Sequence, residues 1–346
     1  MNCCLFMGLI TFTNRGIYCE QGDFYIDPWQ PVKLAVTTHG HADHVKWGND
    51  AYLCHELTKP ILEQRLGPDL KIETLPYNKE ISINGVSISL FPAGHVIGSS
   101  QIRLSYKGEV CVISGDYKVE YDGISTEFEP VKCHTFVSES TFGLPIYKWK
   151  AQEYIFQQIQ NWVADNQDKG KTSVLVAYSL GKAQRLIKNL AADNNIYVHN
   201  SIANLNERFI NAGVDLPEST RITADIKKEA LQQGLLIVPP ALADGKWIKT
   251  LQQPATGICS GWMQVRAGRR WRSADAGFAL SDHADWPGLL SAIKDTGAEK
   301  VFVTHGFTST FSKYLNEIGI DSEEVKTQYG AEEDDAVENV NLEKEA

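Results

Sequence analysis

The stretch Thr37-Thr38-His39-Gly40-His41-Ala42-Asp43-His44 constrains this chain more than any other. Four side chains able to bind a metal fall within six residues, in the pattern H-x-H-x-D-H. Neighbours on one helical face are three or four residues apart, so a helix cannot aim all four at one place. A loop whose successive side chains diverge can, with one pair serving one ion and the other pair a second. The preceding run Val32-Lys33-Leu34-Ala35-Val36-Thr37 reads as a short buried strand ending at that loop. Imidazole nitrogen combined with carboxylate oxygen suits zinc, with manganese or iron as alternatives.

The chain has 346 residues, 43% hydrophobic and 22% charged, enough for one large domain or two. No apolar run reaches the length of a membrane span. The apolar start around Cys3-Cys4-Leu5-Phe6-Met7 lacks a basic segment and a small-residue cleavage site, so no signal peptide is expected. The seven cysteines (3, 4, 19, 54, 111, 133 and 259) are odd in number and contain no C-x-x-C pair. That pattern fits a reducing cytoplasm and argues against a disulfide framework.

Net charge is 33 − 43 = −10. Residues 331–346 hold seven acids and one Lys, a net of −6, and are expected to form a disordered acidic tail. The rest carries only −4, and within it Arg266, Arg269, Arg270 and Arg272 cluster near Trp262 and Trp271. Two readings stand: a solvated loop, or a phosphate-contacting surface with aromatics for stacking.

Residues 8–113 read as short strands. Gly16–Cys19 and Phe24–Ile26 flank Gln21-Gly22-Asp23, and Asp27-Pro28 closes that hairpin. Alternating Ile83, Val86, Ile88 and Leu90 surround an Asn84-Gly85 turn, the strongest short hairpin signal. Residues 101–106 and 109–113 pair about Lys107-Gly108. Between these, 56–65 reads as a short surface helix. Near residue 150 the texture changes. Ile155, Ile159, Trp162 and Val163 form a helical stripe, 172–177 reads as a buried strand, and Tyr178-Ser179-Leu180-Gly181-Lys182 opens a helix whose N-terminus could meet an anion. Without G-x-x-x-x-G-K-[ST] it is no P-loop. A strand at 196–199, helices near 202–211 and 224–233 and a strand at 235–238 continue the alternation, so 150–253 reads as an inserted parallel α/β module. After 253 the strand-rich texture returns, with a helix from Trp286, a strand at 301–306, a helix near 309–318 and a last strand near 324–327.

Strand ends carry His39, His41, Asp43, His44, His95, Asp116, Glu139, His283 and His305, so six of the nine histidines lie in such positions. His55, His134 and His199 read as structural or surface residues. One site of three His and another of an Asp and two His, joined by the carboxylate of Asp116, is a complete ligand set for two ions about 3.5–4 Å apart.

These motifs, taken in order as H-x-H-x-D-H at 39–44, Gly94-His95, Ser114-Gly115-Asp116, Glu139-Ser140-Thr141, Ser281-Asp282-His283-Ala284 and Thr304-His305-Gly306, resemble those of the metallo-β-lactamase superfamily, specifically its β-CASP nucleases. The resemblance implies an αββα sandwich formed by 8–149 and 254–330, with 150–253 as an inserted β-CASP α/β domain covering the metal cleft. It implies that His39, His41 and His95 hold one zinc or manganese ion, that Asp43, His44 and His305 hold another, and that Asp116 bridges them. His283 would be the general acid, oriented by Glu139, with Asp43 counted among the catalytic groups. Ser179, Lys182 and Gln184 would line the cleft, and the four arginines would contact nucleic acid.

The texture of Gly22–Trp29, Ser260-Gly261-Trp262 and 281–287 further resembles the bacterial ligase-associated DNA exonucleases. That implies DNA repair, with a DNA ligase and a helicase as partners; no membrane is expected, because no apolar run is long enough to span one. His305 resembles the RNA-processing β-CASP enzymes instead, which keeps RNA as the alternative substrate. A small-molecule metallohydrolase would share the early ligands but has no need of Glu139-Ser140-Thr141 or the insert. A non-catalytic scaffold would not need the intact ligand set.

Overall fold

A computed structural model describes residues 8–243, 245–265 and 274–327. Arg266, Arg269, Arg270, Arg272 and the acidic tail lie outside the described residues, as do Cys3 and Cys4. The described chain forms two compact units. One comprises 8–121, 125–146 and 284–327, and the other 122–124 and 147–283.

The first unit contains two sheets. One runs in the order β1 (Thr11–Thr13), β2 (Gly16–Cys19), β3 (Phe24–Ile26), β4 (Leu34–Val36), β5 (Ala51–Cys54) and β6 (Ile72–Thr74). The second runs β19 (Asp321–Glu324), β18 (Lys300–Gly306), β11 (Thr135–Ser140), β10 (Glu109–Ile113), β9 (Ser100–Tyr106), β8 (Val86–Pro92) and β7 (Glu80–Ile83). Both tight hairpins expected from the sequence are present. Their turns have paired positive φ values, 50° and 84° at Asn84-Gly85 and 48° and 88° at Lys107-Gly108. That geometry matches the right-handed twist of the flanking strands.

Alternation along each strand divides the side chains between two layers. Phe24, Ile26, Val36 and Leu53 meet Val86, Ile88, Leu90, Ile102, Leu104, Ile113 and Val137 between the sheets. Ala35, Tyr52 and Cys54 face outward under helix α1 (Lys59–Leu66). On the second sheet's outer face, Val112, Phe136, Val301 and Val303 pack against α6 (Trp286–Thr296) and α7 (Thr308–Glu317) through Leu289, Ile293, Phe311 and Leu315. The layers are therefore α–β–β–α. Helix α6 is well specified locally. The Asp285 side chain accepts from Gly288 N, Pro287 lies in the first turn, and Gly297 ends the helix at φ 66°.

Four expectations need correction. Helix α1 is a surface helix with one buried edge, Ile61 and Leu62, but its bounds differ from the expected 56–65. It starts later than expected because Pro60 is accepted only in the first turn. The last strand lies at 321–324, paired parallel with β18, rather than at 324–327. The α/β unit also runs past residue 253. In this unit β14 (Thr220–Arg221), β13 (Ile196–Val198), β15 (Leu235–Val238), β12 (Thr172–Val176), β16 (Pro254–Cys259) and β17 (Ala276–Phe278) form one sheet, parallel at every pairing. A strand's own pattern does not name its partner, and β16 joins β12 instead of rejoining the sandwich.

Both faces of this parallel sheet are covered. Leu175, Leu235 and Ile237 face α2 (Gln152–Asp168), α3 (Lys182–Leu190) and α4 (Asn200–Asn211). Val174, Val176, Leu236 and Val238 face α5 (Lys228–Gln233) and Ile248. This double burial explains the apolar runs 174–176 in β12 and 235–238 in β15. Helix α5 is a turn shorter than the expected 224–233.

Candidate metal centre

The strands β8 and β10 both run antiparallel to β9, and β10, β11 and β18 run parallel. Their C-terminal ends therefore emerge along one edge of the second sheet. The first sheet meets that edge where Ser100 N, at the start of β9, donates to Thr38 O (2.8 Å) just after β4. Gly115 adds a second tie. It sits at φ 56°, and a Cβ there would lie 2.6 Å from the Thr38 side chain. Only a residue without a side chain lets the Asp116 loop come that close to the His39 loop.

Between Val36 and Val45 the chain makes one turn, with His44 N and Val45 N donating to His41 O (3.2 and 3.1 Å). The side chains of 39, 41, 43 and 44 point into a shared space. His41 Nδ1 lies 3.1 Å from His39 Nε2 and 3.0 Å from His95 Nε2. Asp116 Oδ2 lies 3.5 Å from His39 Nε2, 3.4 Å from His44 Nε2 and 3.9 Å from His95 Nε2. Asp43 Oδ2 is 3.4 Å from His44 Nε2, and the His44 and His305 rings stack with centroids 5.0 Å apart. Potential ligand atoms thus gather within 4.8 Å of one another in overlapping groups: His39, His41, His95 and Asp116; His39, Asp43 and His44; and His44, Asp116 and His305. Asp116 belongs to two of them, the position a bridging carboxylate needs.

His305 is held under strain. It takes φ 52° at the end of β18, where the ladder with β11 slips between Glu139 and Ser140. The Ser140 hydroxyl donates to the His305 carbonyl. Gly306 follows at φ 73°, where a Cβ would lie 2.3 Å from Ser140 O. Positive φ at a histidine within a strand is costly and persists only where its surroundings enforce it.

The electrostatics fit a cation site. Burial drives His39 and His305 down, keeping both neutral and able to donate a lone pair. Burial alone would lower His44 as well, but Asp43, Asp116 and Asp27 outweigh it and hold its value well above the ordinary one. Burial would raise Asp43, but the attraction of His44 carries it below the usual carboxylate range. Three carboxylates around His44 call for positive charge there, and bound cations would supply it. The neutral imidazoles and carboxylates are the donor set zinc takes.

Asp27 is the residue that sequence reasoning placed only as a hairpin closer. It is buried at φ 41° and accepts from Thr38 N (2.9 Å), Thr38 Oγ1 (2.6 Å) and His44 Nδ1 (2.7 Å). A carboxylate on Nδ1 fixes the ring so that Nε2 faces Asp43 and Asp116. The sole local signal was an acid after a strand, a common turn residue.

Glu139 is buried in β11, with Oε1 accepting from Tyr117 N (2.8 Å) and Oε2 from Thr141 N (3.3 Å). His283 belongs to the other unit. Its N donates to Ser281 Oγ (3.0 Å), and its carbonyl accepts from Trp149 Nε1 (2.9 Å). Ser179 and Lys182 are buried in that unit. Ser179 Oγ meets Ser201 Oγ (2.9 Å), and Lys182 Nζ lies 3.4 Å from Asp282 Oδ2 and 4.8 Å from the centre of the Tyr178 ring. The N-terminus of α3 thus already has an internal anion in Asp282, also 3.4 Å from Arg185. Gln184 spends its side chain on Gly181 N, Ser179 O and Asn206.

No family model matches the chain. A probable DNA ligase of Opitutus terrae is 24% identical over 312 residues, 89% of this chain but 30% of that protein. Endoribonuclease YSH1 of Saccharomyces cerevisiae is 30% identical over 121 residues, 34% of this chain and 15% of the relative. Cleavage and polyadenylation specificity factor subunit 3 of Dictyostelium discoideum is 28% identical over 120 residues. A protein of unknown function from Enterococcus faecalis V583 shares the fold, with a TM-score of 0.60 and 13% identity over 86% of this chain and 80% of that one.

The chain is therefore similar in sequence to a probable DNA ligase and to RNA-cleaving nucleases, and in fold to the Enterococcus faecalis protein. It spans less than a third of the length of these curated relatives. Among the described residues, no helix is long and apolar enough to cross a membrane.

Proposed function

We propose that the chain is a two-metal phosphodiesterase that cleaves nucleic acid, acting as a DNA exonuclease in repair. The observation that carries this reading is the convergence of His39, His41, Asp43, His44, His95, Asp116 and His305 into ligand groups that share Asp116. His39, His41 and His95 would hold one ion, Asp43, His44 and His305 the other, with Asp116 between them. Two zinc or manganese ions, when bound, would lower the pKa of a water and offset charge on the phosphate oxygens. Asp27 keeps His44 turned toward its ion. His283 gives a proton to the departing oxygen, a task suited to an imidazole near neutral pH, and Glu139 orients it. The β-CASP unit and the arginines at 266–272 contribute strand binding.

DNA is favoured because the ligase relative aligns over 89% of the chain. A DNA ligase and a helicase would be working partners in the cytoplasm. RNA processing is the second reading, favoured by the endoribonuclease and cleavage-factor relatives. The test is incubation with end-labelled single- and double-stranded DNA and RNA, with and without zinc or manganese. His41→Ala abolishes cleavage; surviving cleavage would refute the two-metal assignment. His283→Ala keeps its metal and loses rate, whereas metal loss would move His283 among the ligands.

A further inference from the structure

Trp47 is the most exposed of the large hydrophobic side chains identified at the surface, at 71%, and it lies three residues after the ligand candidate His44. Solvent-exposed tryptophans singly need no explanation when they sit on loose loops. This loop is not loose. Val45, on one side, is buried with Val32, Ala35, Tyr52, Cys54 and Leu62. Asn49, on the other, is buried at 8% exposure, donates to Lys46 O (3.1 Å) and accepts from Val32 N (2.9 Å). Tyr52 Oη also donates to Lys46 O (2.7 Å). Gly48, at φ 95°, packs on Pro31, where a Cβ would lie 3.2 Å from Pro31 Cγ. The backbone is therefore pinned on both sides of the one residue whose ring faces water. Among the described residues, the indole makes no hydrogen bond or ring contact.

We infer that Trp47 is a stacking platform for an unpaired base of the nucleic-acid strand whose phosphodiester occupies the metal centre. This rests on the proposed nuclease function and adds a substrate-positioning residue to it. Three residues of chain span at most about 11 Å, so the Trp47 backbone stands within a nucleotide or two of His44. An exposed indole on a pinned backbone offers a flat π surface that any base can cover. The strand must present a single-stranded base there, because a paired base has both faces covered by its neighbours.

The experiment compares kcat and KM of wild-type protein, Trp47→Ala and Trp47→Phe on end-labelled oligothymidylate, and on the same strand with one abasic residue moved stepwise from the cleaved bond. Stacking of one base contributes about 1–3 kcal/mol, or about 5- to 150-fold. Trp47→Ala is expected to raise KM by about tenfold or more with metal content intact, and Trp47→Phe to recover most of it. Wild-type protein should lose the same factor at one abasic position, and Trp47→Ala should be indifferent to that position. An unchanged KM in Trp47→Ala, or an equal abasic penalty in both proteins, overturns the assignment while leaving the nuclease reading intact. A wild-type protein that binds and cleaves no strand overturns both.

Discussion

Replacing Asp27 by Asn tests whether a residue outside the ligand set governs the metal centre. The carboxylate takes three buried donors, Thr38 N, Thr38 Oγ1 and His44 Nδ1, at 2.9, 2.6 and 2.7 Å. An amide keeps one acceptor oxygen for Thr38 N but turns an NH2 group toward His44 Nδ1. That contact survives only if Nδ1 accepts, which moves the ring proton to Nε2, the atom 3.4 Å from both Asp43 and Asp116. A protonated Nε2 cannot ligate. Loss of such an orienting partner costs about 10- to 100-fold in metal affinity, or about 1.4–2.7 kcal/mol. The expected result is weakening of the ion shared by Asp43, His44 and His305, with a smaller effect on the ion at His39, His41 and His95. Zinc titration against a competing chelator measures both affinities. Asp27→Ala removes the acceptor altogether and should also cost about 3–5 kcal/mol in urea unfolding, because a buried charged partner is left alone. Two wild-type zinc affinities in Asp27→Asn would refute the tautomer argument.

Other outcomes follow from the same geometry. Gly306→Ala places a Cβ 2.3 Å from Ser140 O and 2.4 Å from Thr141 Cα, so urea unfolding should register a loss of about 2–4 kcal/mol from overpacking and positive-φ strain. Gly108→Ala, at φ 88° with open space around it, should cost only about 1 kcal/mol. His55 stacks on Tyr77 with centroids 3.6 Å apart, and burial pulls its value down to about 4. The unfolded chain therefore takes the proton first. Stability is whole above pH 6.5 and falls by about 3 kcal/mol in total as pH drops toward 4. His55→Phe should remove that slope, read as the difference between two urea series. Chelation with EDTA should lower the unfolding temperature of the sandwich by several degrees, following the mass action of ligand on the folded state, and leave the parallel-sheet unit unmoved; an unchanged calorimetric trace would argue against bound metal.

Much of this molecule was legible locally. The H-x-H-x-D-H run, the histidines and acids at strand ends, and the Asn84-Gly85 and Lys107-Gly108 turns are short-range patterns, so the sequence alone located the ligand candidates and the hairpins. Short continuous apolar runs likewise announced strands with both faces buried, as in β12 and β15. What only tertiary structure decided were matters of partnership. Asp27 reads as a turn residue until the fold lays His44 Nδ1 against it. Residues 56–65 read as a surface helix, but that Ile61 and Leu62 are its covered edge is decided by the sheet beneath it. The strand after Pro254 fits either sheet by composition, and its ladder with β12 alone assigns it to the second unit. Backbone propensity and side-chain periodicity are written residue by residue, whereas the identity of a contact across many residues depends on chain topology, which no local pattern contains.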